Sequence, residues 1–288
     1  MPELPEVETI LEDLKQAGLM GSQIQKVTVY WPRTIGQPAP SVFCHLLTHK
    51  RILKLERRGK YLIFTLSEGY FICIHLRMTG RLLLVNRDVP ETPYVRLRLD
   101  LDQGKSLYFH DTRKFGRWYL VQDPQTIVGK IGPEPLSADF TFEIFWNMLK
   151  QRARALKPLL LDQTFLAGLG NIYVDEALWE AHLHPLQPAH SLTTQHARQL
   201  YKSVIHVLKR GIENQGTTLG TGRTNYYRLD GTQGQHQILL NVFRRTGQKC
   251  PRCGHLIERL IVAQRSTHIC LACQPLALPT PITYTHPE

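Results

Sequence analysis

Val95-Arg96-Leu97-Arg98-Leu99-Asp100-Leu101 puts an apolar residue at every second position and a charged one between. Successive side chains of a strand point to opposite faces, so this alternation describes a strand with one face in a core and one in water. Working outward, the pattern holds from residue 24 to about 121. Ile24-Val27-Val29, Tyr61-Leu62-Ile63-Phe64 and Phe71-Ile72-Cys73-Ile74 read as further strands, punctuated by Gly69, Gly80 and Gly104. Strands that are apolar on one face must cover it with a second layer, so a β-sandwich or flattened barrel of two packed sheets is expected.

Helices flank this region. Val7, Ile10, Leu11 and Leu14 share one face of a helix over 6–16, with Pro5 suited to its first turn and Glu6 and Glu8 near its positive end. After a Pro-rich hinge at 131–139, Phe142, Phe145, Trp146 and Leu149 form one helical stripe. Ala197, Leu200, Tyr201, Val204 and Leu208 form another. The stretch 214–236, rich in Gly, Thr, Asn and Gln, is long for a structureless connection and reads as a functional loop. Residues 275–288 hold four prolines and are expected to be disordered.

The 288 residues suffice for two domains of ordinary size. Net charge is +11, from 35 basic against 24 acidic residues, which favours a polyanionic partner. No apolar run approaches the ~18 residues of a membrane span. The N-terminus lacks a basic-then-apolar leader, so the expected location is the cytoplasm. There is no Gly-x4-Gly-Lys-Ser/Thr loop and hence no call for a nucleotide cofactor.

Cys44 and Cys73 lie in apolar, strand-like segments and read as core thiols. Cys250, Cys253, Cys270 and Cys273 form C-x2-C, sixteen residues, C-x2-C. In an intracellular chain that spacing describes one structural Zn(2+) site. Four protein ligands close the coordination shell and leave no position for catalysis.

Pro2 follows the initiator Met1 directly. Once Met1 is removed, Pro2 carries a free secondary amine. An α-amine titrates near ~8 against ~10.4 for lysine, so far more of it is neutral and nucleophilic at pH 7. A secondary amine that adds to an electrophilic carbon gives an iminium ion, an electron sink of the Schiff-base kind. Glu3 supplies an adjacent carboxyl to move protons. The plainer reading is a small residue after the initiator. A basic stretch, Lys50, Arg51, Lys54, Arg57, Arg58 and Lys60, reads as a solvated strand face.

Separated motifs now line up. They are Pro-Glu-Leu-Pro-Glu-Val-Glu-Thr at 2–9, Arg-Arg-Gly-Lys-Tyr-Leu at 57–62, His-Leu-Arg-Met at 75–78 and His-Asp-Thr-Arg-Lys-Phe-Gly at 110–116. Gly-Leu-Gly-Asn-Ile-Tyr at 168–173 and the four-cysteine hairpin with Ala-Gln-Arg at 263–265 complete the series. In this order, to about Cys273, the chain resembles the formamidopyrimidine-DNA glycosylases. The resemblance implies an α+β multidomain fold. A catalytic β-sandwich domain would span 1–133, with an N-terminal helix. A helix-two-turn-helix domain would span 134–247, carrying a lesion-capping loop at about 217–236, and a C4 zinc finger on a β-hairpin would span 248–274. It further implies a bifunctional glycosylase and AP lyase acting on oxidised purines in damaged double-stranded DNA, as a cytoplasmic, nucleoid-associated monomer.

By the same resemblance Pro2 is the nucleophile and Glu3 its acid/base partner, with Glu6 a further acid at the site. Lys60 and Arg265 would meet phosphates near the lesion. Met78, Arg113 and Phe115 match the family's void-filling trio, which a flipped-out nucleotide makes necessary: apolar filler, donor to the orphaned base, and aromatic wedge. His75, Lys157, Asn171 and Tyr173 are placed at the DNA. The glycine-rich turn entering a helix at Asn171 offers amides to an anion, or simply caps the helix. Three positions depart from the pattern: Thr79 where many relatives carry Glu, Phe243 where Tyr is common, and a loosely fitting 217–236 segment. Two other functions compete. One is an endonuclease VIII-like glycosylase for oxidised pyrimidines, disfavoured by Leu4-Pro5 and the complete trio. The other is a non-catalytic zinc-finger DNA-binding protein, disfavoured by Pro2-Glu3.

Overall fold

The computed structural model describes residues 1–220, 222 and 226–276. Most of the tail expected to be disordered, and residues 221 and 223–225 of the expected capping loop, lie outside that set. Two compact units emerge. The first comprises residues 1–135, 166–169 and 208–239; the second takes 136–165, 170–207 and the chain from 240.

The first unit opens with α1 (Leu4–Gln16), two residues ahead of the sequence reading, with Pro5 in its first turn. Leu4, Val7, Ile10, Leu11 and Leu14 are buried along one side. The strands follow: β1 (Ile24–Val29), β2 (Ile35–Gln37), β3 (Ile52–Arg58), β4 (Tyr61–Leu66), β5 (Phe71–His75), β6 (Gly80–Asn86), β7 (Val95–Leu101), β8 (Lys105–Asp111) and β9 (Arg117–Val121). They form two sheets, one in the order β1-β7-β8-β6 and the other β2-β9-β5-β4-β3. Every pairing is antiparallel except β2 with β9. One apolar core joins both sheets to α1, with Leu97 and Leu99 from the alternating strand fully buried. Each buried Leu contributes about 2 kcal/mol of transfer free energy. Between β2 and β3 runs α2 (Pro40–Leu47), which carries Cys44. That cysteine is helical and part-exposed rather than a core strand thiol, because Pro40 starts a helix there; Cys73 in β5 is buried. A short α3 (Gln125–Val128) follows β9.

Residues 208–239, assigned by sequence to the helical domain, pack with this first unit. Tyr226 and Leu229 enter the sandwich core, and Asp13 of α1 accepts from Arg228 Nη2 at 2.6 Å and from the Leu229 amide at 3.2 Å.

The second unit holds α4 (Phe142–Lys150), α5 (Leu156–Leu160), α6 (Asn171–Glu180) and the first part of α7 (Thr194–Glu213). Thr141 caps α4 through its hydroxyl, and Phe142, Phe145 and Leu149 face inward as the stripe predicts. Tyr201 packs against Phe145 with ring centroids 6.0 Å apart and donates its hydroxyl to the Phe140 carbonyl at 2.7 Å. The hairpin β10 (Glu258–Val262) and β11 (Arg265–Ile269) completes the unit. Among the described residues no helix is long and apolar enough to cross a membrane.

The basic stretch behaves differently from a solvated face. The Arg57 and Arg58 side chains are only 10% and 27% exposed. Arg57 donates to Glu8 and, at 2.8 Å, to Glu134; Arg58 donates to Glu134 at 2.9 Å, and the Gly59 amide donates there too. Carboxylates from α1 and from the Pro-rich hinge have drawn the strand's charges inward. Arg51 and the Lys54–Glu56 pair keep the exposed character expected. Burial opposes the charge on Glu134, but Arg57, Arg58 and the Gly59 amide outweigh it and hold the carboxyl below its ordinary range. A depressed carboxyl stabilises the fold above its unfolded pKa and loses that contribution as pH falls through the folded value. Glu134→Gln should therefore cost about 2–4 kcal/mol at pH 7. The gap to wild type should close as pH falls below about 4, the ordinary carboxyl value, as followed by urea melts at several pH values.

Candidate active site and metal centre

Pro2 and Glu3 are both buried, Glu3 being 2% exposed. They sit where the chain enters α1, and three ties fix them. The Leu4 amide donates to the Gly168 carbonyl at 2.9 Å. Glu6 accepts from the Glu3 amide with one carboxylate oxygen and from the Thr217 amide with the other, each at 2.8 Å. Glu6 is thus more than a partner of the helix dipole. Gly168 has φ +85°, and a Cβ there would lie 2.6 Å from Leu4, so only glycine lets the 166–169 turn reach the N-terminus. Gly216, at φ +78°, approaches Glu6 in the same manner. With Met1 in place the Pro2 nitrogen is a tertiary amide; Met1 itself is 45% exposed and open to removal.

Lys60 follows the β3–β4 turn and is 5% exposed. His75, at the end of β5, is also buried. Burial first, then Arg77 and Lys60, push its pKa down to about 3, so the ring stays neutral at physiological pH. Its Nδ1 accepts from the Arg77 amide at 2.9 Å, which leaves Nε2 as the N–H donor. Tyr61 meets the ring edge-on at 4.6 Å.

Met78 and Phe115 are 41% and 47% exposed, so neither is a core residue. They stand on two neighbouring turns, and Arg113 lies between them. Its Nη1 is 3.0 Å from the Met78 sulfur and its guanidinium carbon 4.8 Å from the Phe115 ring centre. The structure thus brings the three predicted residues into one cluster.

The predicted residues of the second unit divide. Asn171 begins α6 and donates to the Ser266 carbonyl at 2.9 Å, while its buried Oδ1 has no hydrogen-bond partner among the described residues. Arg265 is exposed at the first position of β11. The hairpin tip is Ala263-Gln264, both at positive φ, a two-residue turn closed by Val262 opposite Arg265. Lys157 and Tyr173 correct the expectation of DNA contact, because both are fully buried. The Lys157 ammonium donates to Asp175 at 2.6 Å and to the Ser266 carbonyl at 2.9 Å; its charge is committed internally and braces the hairpin. Tyr173 belongs to the core face of α6.

Sequence reasoning missed several carboxylates. Asp175 also accepts from the His268 amide at 2.9 Å, and Glu176 accepts from the Val242 and Phe243 amides at 2.9 Å each. The available signal was two adjacent acids inside an otherwise apolar helix, since such acids are buried only when partnered.

Cys250, Cys253, Cys270 and Cys273 bring their sulfurs within 4.8 Å of one another. Zinc held tetrahedrally at ~2.3 Å separates its sulfurs by about 3.8 Å. The Cys250–Cys273 and Cys253–Cys270 distances are 3.9 and 3.4 Å, so the four thiols fit one zinc ion. Cys250 is held by Trp179, whose indole N–H lies 3.4 Å from the sulfur. Among the described residues, Trp179, Val242 and Ile257 form a small buried cluster with three of the cysteines, so metal ligation would add substantially to what holds this end of the chain together. Cys250→Ser should remove about one equivalent of zinc per chain, by elemental analysis. It should also expose residues 248–274 to proteolysis while the β-sandwich keeps its melting transition. Retention of full zinc would contradict the four-ligand site.

Comparison with known proteins agrees in three segments. Residues 1–118 match the formamidopyrimidine-DNA glycosylase N-terminal domain, 131–222 its H2TH domain, and 247–276 a zinc finger found in FPG and IleRS. The formamidopyrimidine-DNA glycosylase of Protochlamydia amoebophila is 59% identical over 274 residues, covering 95% of this chain and 99% of that protein. The corresponding Herpetosiphon aurantiacus protein is 43% identical over 95% of this chain and all of its own length. Among solved structures, a Lactococcus lactis FPG mutant in complex with a Fapy-dG containing DNA superposes with a TM-score of 0.88 at 37% identity, covering 95% of this chain and 100% of that one. The same enzyme with an abasic site containing DNA gives 0.87 at 37% identity, over 95% and 99%. With its three segments in this order and identities of this size, the chain belongs to the formamidopyrimidine-DNA glycosylase family.

Proposed function

We propose that this chain is a bifunctional DNA glycosylase and AP lyase that excises oxidised purines from duplex DNA and cleaves the strand at the resulting site. The observation that carries the reading is the N-terminal Pro2-Glu3 pair, buried and tied at the mouth of α1. A chain terminus is held this firmly at a cost in entropy that packing alone does not require. Family membership and the DNA-bound relatives support the same substrate class.

In this mechanism the freed Pro2 nitrogen attacks C1′ of the flipped nucleotide. The C1′–N9 bond breaks and the base leaves with a proton that Glu3 helps to deliver. The Pro2 nitrogen then sheds its own proton and its lone pair expels O4′, which is protonated as the C1′–O4′ bond breaks, opening the sugar and leaving the iminium. The iminium withdraws electrons from C2′, which loses a proton. The electron pair then expels the 3′ phosphate, and a second elimination expels the 5′ phosphate. Hydrolysis of the iminium by water returns the amine and releases the sugar remnant as an aldehyde.

Lys60, neutral His75, Asn171 and Arg265 would meet phosphates, giving affinity and register without sequence preference. Met78 would fill the vacated stack, Phe115 wedge beside it, and Arg113 donate to the orphaned base. The complete trio favours purine lesions over the pyrimidine specificity of endonuclease VIII-like enzymes. Zinc, held by Cys250, Cys253, Cys270 and Cys273, supplies rigidity to the hairpin that presents Arg265. The chain divides, on this reading, into a catalytic sandwich at 1–133, a helix-two-turn-helix domain at 134–247 and the zinc finger at 248–274, and works as a cytoplasmic monomer on DNA.

Borohydride should trap Met1-processed protein on lesion-bearing duplex, with the adduct mapping to Pro2. Protein retaining Met1 should trap nothing, and an adduct on Lys60 would overturn the assignment. Glu3→Gln should lose base excision by about 10²–10⁴-fold yet still nick a preformed abasic site. Excision opposite cytosine should exceed excision opposite adenine by about 1–3 kcal/mol, the worth of one good base contact. Arg113→Ala should flatten that preference. Phe115→Ala should slow processing opposite every base, and equal loss of preference in both variants would refute the division of roles.

A further inference from the structure

Beneath the exposed trio lies a buried clasp that ties its two turns together. Asp111 ends β8 with no exposure, and directly opposite in the ladder Gly80 begins β6, with Thr79, 3% exposed, before it. The Thr79 hydroxyl donates to Asp111 Oδ1. The Arg113 amide is shared between that carboxylate oxygen and the Thr79 hydroxyl oxygen, at 3.2 Å from each. Asp111 Oδ2 accepts from the Gly116 amide at 2.8 Å. One carboxylate therefore fixes the residue after Met78 and both ends of the turn that carries Arg113 and Phe115. Close approach here is obligatory: a Cβ on Gly116 would lie 2.3 Å from the Phe109 ring and 3.2 Å from Asp111 Oδ2.

We propose that Thr79 and Asp111 are positioning residues for reading the base opposite the lesion. The inference rests on the trio reading above. Neither side chain reaches the surface to touch DNA, and the contacts among Met78, Arg113 and Phe115 are soft and exposed. The direction of the Arg113 side chain is set from below, by the bond that holds its own amide. The hydroxyl at 79 is suited to this: it gives its single proton to the carboxylate and keeps a lone pair for the amide. A methyl in its place offers neither.

Thr79→Val keeps the shape and removes the hydrogen bonds, while Thr79→Ser keeps the hydroxyl. In Thr79→Val the ratio of kcat/KM opposite cytosine to that opposite adenine should fall roughly threefold to tenfold, the scale of one neutral hydrogen bond. The loss should lie in turnover opposite cytosine. Thr79→Ser should restore the ratio. Borohydride trapping on an abasic site in single-stranded DNA, which has no opposite base, should match wild type in both variants. An unchanged ratio in Thr79→Val, failure of Thr79→Ser to restore it, or a parallel fall in single-strand trapping would each overturn the proposal. Arg113→Ala run alongside separates the two levels. If it flattens the preference while Thr79→Val does not, only the clasp fails. If it leaves the preference intact, the trio reading fails and the clasp with it.

Discussion

A chain terminus frays unless something holds it, and on the proposed mechanism the terminus is the reagent. The hydrogen bond from the Leu4 amide to the Gly168 carbonyl answers that constraint, with Glu6 securing the Glu3 amide one step earlier. Much of the first unit follows from it. The 166–169 turn must come close, which fixes glycine at 168. The segment beyond α7 must return to α1, where Glu6 and Asp13 receive Thr217, Arg228 and Leu229. The sandwich core lies against the inner side of α1 and makes that helix a rigid base.

The second unit solves a different problem with similar means. Its hairpin has little apolar support, so ligation by four cysteines and internal carboxylates take over. Lys157 and Asn171 converge on one carbonyl, that of Ser266, next to Arg265. Asp175 holds the opposite end of the Lys157 ammonium and the His268 amide. A cation that seemed available for phosphate is instead spent on aiming its neighbour.

Much of this was legible in the chain. Alternation in Val95–Leu101 gave a strand and its apolar buried face, although Asp100 on the other face is buried too, accepting from Arg98 and Ser106. The Cys spacing gave one metal site, and the stripe of Val7, Ile10, Leu11 and Leu14 gave the buried face of α1. These signals are local, and periodicity reports which face of an element is covered. It does not report which distant charge an element meets. Glu134 lies 77 residues from Arg57 and Ser266 lies 109 from Lys157, so nothing near those lysines and arginines announced that they were already partnered. The motifs located the trio, but nothing in them told that the Asp111 carboxylate lies beneath it.

The exposed Met1 ahead of a buried Pro2 also governs how the protein can be handled. On the proposed mechanism, any residue left in front of Pro2 would keep its nitrogen an amide and bar its attack. A purification tag or fusion partner at that end would give a folded, zinc-loaded and DNA-binding protein without chemistry. On that reading the protein is suited to engineering only from its other end.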